Sequence, residues 1–138
     1  MRDLAKRLIA FEAGGSKSSE AEAMAHFQVI EKLRPHLATL MGNAGFRALL
    51  SRALALACAE IPKLHGVRIK ADGSMDGMAE IEAELTAGEV AESRIILLAH
   101  LLGLLIAFIG ANLTISLVRE TWPKLRPDHL NLNKGREN

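Results

Sequence analysis

Between Ile95 and Val118 the chain carries no Asp, Glu, Lys or Arg, a run of 24 residues. As a helix at about 1.5 Å per residue it is roughly 36 Å long, enough for the ~30 Å hydrocarbon layer of a bilayer and enough to run the length of a small domain. Whatever else the chain builds must either cover this segment or leave it in lipid.

The remainder offers cover. Leu4, Leu8 and Phe11 share one side of a short helix that Gly14-Gly15 ends. Ser19 and Glu22 have capping-box spacing, and Phe27, Ile30 and Leu33 form a stripe, which predicts a helix over about 20–34 until Pro35 interrupts it. Pro35 opens a short further helix carrying Leu37, Leu40 and Met41 that stops at Gly42. After an N-cap at Asn43, Phe46, Leu49, Leu50, Ala53, Leu54, Ala57 and Ile61 recur at three- and four-residue steps up to Pro62. Val67 to Lys70 then alternates, and Asp-Gly pairs at 72/73 and 76/77 supply turns, so a small hairpin or loop is expected over 66–77. Thr86 with Glu89 repeats the capping-box spacing, so a final helix is expected from there to Trp122, with Pro123 as its stop. The expected fold is all-α: one bundle domain, residues 1–122, around a long apolar C-terminal helix, with a polar, mobile tail over 123–138.

The membrane span over 95–118 is the alternative. Trp122, flanked by Arg119 and Lys124, has the makings of an interfacial anchor, and Gly103 and Gly110, two turns apart, have the spacing of helix-packing glycines. Against it, basic residues at 119, 124, 126, 134 and 136 follow the segment while only Arg94 stands at its other end. That asymmetry would export the N-terminal ninety residues, and no signal peptide is recognisable at the N-terminus. A cytoplasmic chain is therefore expected, with the inner membrane as the alternative.

Few residues point to chemistry. Lys plus Arg number 17 against 16 Asp plus Glu, for a net charge of +1, and aromatics make up 4% with no Tyr, so neither a field nor a stacking platform for nucleic acid exists. Cys58 is the single cysteine, which rules out an internal disulfide and a cysteine-held metal, and its apolar neighbours predict an inert buried thiol. His26, His36, His65 and His129 show no ligand spacing, and no phosphate loop, nucleophile elbow or dinucleotide fingerprint is present; no metal and no cofactor are expected. The seven acidic residues between Ala71 and Ser93, unaccompanied by a basic one, read as a solvated face. Glu31 and Arg34 have the spacing of an ordinary surface pair.

Ala99-His100-Leu101-Leu102, followed by Ile109-Gly110-Ala111, resembles a degraded phosphotransfer-histidine motif, which would make His100 a phosphoacceptor. The chain departs from that motif at Gly103, where the family has Lys, and at Leu104, where it has Gly. With Ile96, Leu97, Gly103 and Leu104 as helical neighbours, His100 reads instead as a core histidine.

The segments Gly45 to Ala57 and Leu101 to Gly110, and the ending Leu117-Val118-Arg119-Glu120-Thr121-Trp122-Pro123, resemble a group of small uncharacterised bacterial all-helical proteins. That resemblance implies a helical bundle and brings no activity. The group commonly has an acidic residue where Ala111 stands and a basic one where Ser116 stands; this chain departs at both. The function expected is a non-enzymatic interaction or regulatory module that docks a protein partner or self-associates, because one long apolar helix supplies more surface than its short partners can cover.

Overall fold

The computed structural model describes residues 1–16 and 18–125. Along them lie α1 (Arg2–Glu12), α2 (Ser19–Glu60), a 3-10 turn (Pro62–Gly66), β1 (Arg68–Ile69), β2 (Met75–Asp76), α3 (Met78–Glu82), α4 (Ala87–Ile109) and α5 (Ala111–Thr121). The architecture is all-α, interrupted by one small antiparallel ribbon that pairs Arg68 with Asp76 and Ile69 with Met75.

The long apolar helix α4 is what the others cover. Its start is fixed locally: Thr86 Oγ1 accepts from the Glu89 N–H at 3.2 Å while Glu89 Oε1 accepts from the Thr86 N–H at 3.0 Å, the reciprocal capping box expected from the spacing. From there Ile96, Leu97, Leu98, Leu101, Leu102 and Leu105 are buried against Leu4 and Leu8 of α1 and Val29, Leu33, Leu37, Phe46 and Leu50 of α2. Each such side chain contributes about 1.5–3 kcal/mol of transfer free energy, so the middle of α4 is the thermodynamic centre of the fold.

Two glycines at the same end of the bundle turn the chain. Gly42 (φ 76°, ψ 165°) breaks α2 in its middle, and Gly110 (φ 90°, ψ 160°) separates α4 from α5; this region of backbone space is essentially closed to residues with a Cβ. A straight helix would place Arg34 and Phe46 about 18 Å apart, yet the guanidinium lies 4.8 Å from the centre of the Phe46 ring. The chain therefore doubles back at Gly42. At Gly110 it doubles back again: Glu120 reaches His36 at 3.8 Å, and the indole Nε1 of buried Trp122 donates to Glu12 Oε2 at 2.6 Å.

Several expectations need correction. The helix runs through Pro35 rather than restarting there; Leu33 and Leu37 flank it, both fully buried, and their packing holds the turn across the missing N–H. Ser18, one residue earlier than expected, caps α2 by accepting from the Ala21 N–H at 3.1 Å. The single helix expected from 87 to Trp122 is two helices, so the uncharged run is not one rod: the part within α4, residues 95–109, is about 22 Å long. Trp122 is buried rather than placed as an exposed anchor. Of the segment 123–138, the first three residues are described and Leu125 is buried in the core, while 126–138 lie outside the described residues, as does His129.

Candidate functional site

The polar groups with structural consequences gather where the ribbon meets the N-terminal ends of α2 and α4. Arg94, the sole Lys or Arg between Lys70 and Arg119, is 4% exposed. Its Nε and Nη2 donate to the two carboxylate oxygens of Glu82, each at 3.0 Å, a bidentate pair that ties α3 to α4. Arg34 makes a second clamp, donating to Glu31 Oε2 at 2.8 Å and reaching two carbonyls of the ribbon's turn, Asp72 O at 2.8 Å and Gly73 O at 3.1 Å. Gly73 holds a φ of 84°, which residues with a Cβ rarely adopt, and a Cβ there would stand 2.5 Å from Arg34 Nη1, so glycine suits the turn that closes onto the guanidinium.

Between these clamps is a cavity of about 250 Å³, walled by both ion pairs and by Phe27, Ile30, Met75 and Met78. His26, also in its wall, is buried, and its Nε2 has no hydrogen-bond partner. Burial and then the neighbouring Arg94 charge push the imidazole down to about 4 from its ordinary 6.5, so it is neutral near pH 7.

His100 sits elsewhere. It is not sealed in the core as its apolar helical neighbours suggested: its side chain is 30% exposed, and its Nε2 meets Glu60 Oε2 at 2.5 Å. Those atoms edge a groove of about 400 Å³ that includes Met1, Arg2, Leu56 and Gly103. The ring nitrogen that would attack a phosphoryl group is thus faced by a carboxylate, an anion that repels phosphate, and among the described residues no Ser, Thr or Cys lines the groove to act as a nucleophile. Arg2, the nearby cation, pairs with Glu92.

The third feature is the glycine end. Phe108 is 63% exposed, Leu40 48% and Leu113 42%, and an open groove of about 520 Å³ runs past Leu40, Met41, Gly45, Ala48, Leu49 and Arg52 with Phe108 as its wall. Gly103 and Gly110 do not act together in one helix face: a Cβ on Gly103 would meet only Met1 Cγ at 3.8 Å, and Gly110 is the chain reversal itself, with open space where its Cβ would be. Cys58 is buried, and burial pushes its thiol up. Among the described residues no three His, Cys, Asp or Glu side chains converge as a metal site would require.

Sequence reasoning found the Glu31–Arg34 pair but not its reach into the ribbon, and took the acidic 71–93 segment as a solvated face. Four of those seven residues are committed: Glu82 to Arg94, Glu92 to Arg2, Glu89 to the α4 cap and Asp72 to the Ser74 N–H and hydroxyl. The signal that could have found the first is the isolation of Arg94 between an acidic stretch and an apolar one. The orphan nitrogen of His26 has no signature in sequence. In comparisons with known proteins, no protein family, curated protein or solved structure matches the chain.

Proposed function

We propose that this chain is a non-enzymatic interaction module that self-associates through the glycine end of its bundle. One observation carries the reading: the same patch bears a protruding, mostly exposed Phe108 and, beside it, the open apolar groove of Leu40, Met41, Ala48 and Leu49. A two-fold contact uses one surface twice, so it needs a ridge and a recess side by side, and a cluster of uncovered large apolar side chains is the usual mark of a contact. In the assembly each Phe108 enters the groove of the other copy.

Self-association does not need a membrane, and the cytoplasm is its proposed setting. The second reading, a membrane span, is favoured by α4 being long and apolar enough by length and composition to cross a bilayer. Any 18-residue stretch within α4 nevertheless contains both Glu92 and Arg94, and Arg94 would have to leave Glu82 or carry it into lipid.

Light scattering on protein purified without detergent tests the first reading: a dimer that becomes a monomer in Phe108→Glu supports it, and a wild type monomeric at every accessible concentration overturns it. Retention of the untagged chain in membranes after alkaline washing would establish the second reading instead.

A further inference from the structure

α5 is joined to the rest of the bundle by one residue. Gly110 alone separates it from α4. It is exposed, and no atom stands within 4 Å of where a Cβ would be, so its backbone can rotate without displacing a neighbour. Among the described residues no side chain caps the start of α5, and the N–H groups of its first turn, at Ala111, Asn112 and Leu113, are left to water. With Gly110 in helical angles, which glycine is free to adopt, those three donors meet the carbonyls of Ala107, Phe108 and Ile109, four residues back. α4 and α5 then form one helix from Ala87 to Thr121, a stretch that contains no proline.

What holds the chain in its bend is cover at the far end of α5. Leu117, Val118 and Trp122 are buried, and the Trp122 indole donates to Glu12 Oε2 at 2.6 Å. A straightened chain exposes those side chains and leaves their site on the bundle empty. A second straightened copy repairs both losses, because its α5 is the segment the site already fits, and nothing but the bend itself differs between the closed and the exchanged arrangement.

We infer that α5 is an exchangeable arm: with Gly110 opened, it docks on a second copy of this chain in the site it fills on its own, so that Trp122 of one copy donates to Glu12 of the other. This exchange is separate from the surface contact at Phe108 and does not rest on it.

A short connection gives the chain's own α5 an effective concentration of roughly millimolar, so micromolar protein stays closed and exchange competes only as the chain approaches that range. Untagged protein is concentrated to it, warmed to just below its melting temperature, cooled, and diluted onto a size-exclusion column with light scattering. A dimer that survives dilution is expected, since separating exchanged arms needs local unfolding, whose rate falls steeply on cooling. Phe108→Ser should form it as readily. Gly-Ser-Gly inserted after Gly110 lengthens the hinge and should suppress it. Gly110→Ala penalises the bend alone and should raise the association constant about tenfold or more; its Trp122 emission should match wild type in the dimer and depart from it in the dilute monomer.

The exchange is overturned if no dimer survives dilution, if the insertion variant forms it equally, or if Phe108→Ser abolishes it. A dimer that falls apart on dilution would support the Phe108 contact and sink the exchange. Should Gly110→Ala fail to fold, wild type and the insertion variant decide, since the insertion adds chain only at an exposed reversal.

Discussion

The two ends of the bundle solve opposite problems. At the ribbon end the chain buries charge and commits it: Arg94 to Glu82, Arg34 to Glu31 and two carbonyls. At the glycine end the same long helix emerges without a charge to commit, and Phe108, Leu40 and Leu113 stay uncovered. Polar closure makes the ribbon end specific, since a guanidinium accepts few geometries, whereas the glycine end turns on two glycine conformations and on the Thr114 hydroxyl donating to the Gly110 carbonyl at 2.8 Å, with no ion pair among the described residues. Perturbations at the ribbon end should therefore cost folding stability, and those at the tip should alter association.

The largest effect is expected for Glu82→Ala. The substitution takes away the bidentate carboxylate that two nitrogens of the buried Arg94 donate to, so urea denaturation should show a loss of about 3–5 kcal/mol; a loss below about 1 kcal/mol, the range of surface pairs, would show that the clamp is peripheral. Acid comes next. His26 is held at about 4 against 6.5 in a free side chain, with Arg94 from α4, Glu82 from α3 and Glu31 and Arg34 from its own helix lining the same cavity. Well above pH 6.5, from about pH 7.5, neither state is protonated there and this residue contributes no pH dependence. As the pH falls from 6.5 towards 4 the unfolded chain takes up the proton first, so stability drops by on the order of 3 kcal/mol, about 2 of it by pH 5; below 4 the native state protonates as well and the contribution levels off. His26→Leu should remove this slope between pH 5 and 6.5, a window in which ordinary carboxylates scarcely titrate, and an unchanged slope would dismiss the imidazole as its source.

The contrast between the ends also explains what could be read in advance. Features written within a few neighbouring residues were legible: the Thr86–Glu89 box, the stop at Gly42, the ribbon that turns at the first of two Asp-Gly pairs, the Glu31–Arg34 pair. Pro35 misled because propensity is overridden when Leu33 and Leu37 on either side are buried. Gly110 misled for the opposite reason, since nothing nearby in sequence distinguishes a glycine tolerated inside a helix from one that reverses it; what decides is that Leu117, Val118 and Trp122 find cover only by turning back. The functional candidates rest on contacts across 12, 40 and 110 residues: Glu82 with Arg94, Glu60 with His100, Glu12 with Trp122. Pairings of that separation are set by topology, and periodicity carries no trace of them.

Gly110→Ala separates conformation from packing at the tip. No atom lies within 4 Å of the added Cβ, so any loss comes from forcing alanine into a glycine-only region, about 1–3 kcal/mol. A straight continuation of α4 would relieve that strain, and alanine is the better helix former. Because straightening would pull Trp122 away from Glu12, quenching or a wavelength shift of the single tryptophan reports which route the chain takes. Unchanged stability together with unchanged Trp122 fluorescence would mean that the reversal does not depend on the glycine.

Phe108→Glu should have the smallest effect on folding and a large one on assembly. With the ring 63% exposed, its removal forfeits little burial within one chain, and surface changes of this kind stay within about 0.5 kcal/mol. In a two-fold contact the same substitution acts twice, setting a carboxylate into each apolar groove, and burying a charge there is prohibitive unless it finds a partner. Arg52 borders that groove and could supply one. Phe108→Ser, which cannot recruit the guanidinium, is therefore the cleaner companion: both variants should keep the wild-type melting temperature at low concentration, and neither should show the rise of melting temperature with concentration that dimerisation imposes on the wild type. If all three melt alike at every concentration, the exposed ring has no partner in a second copy, and the glycine end differs from the ribbon end only in being left open.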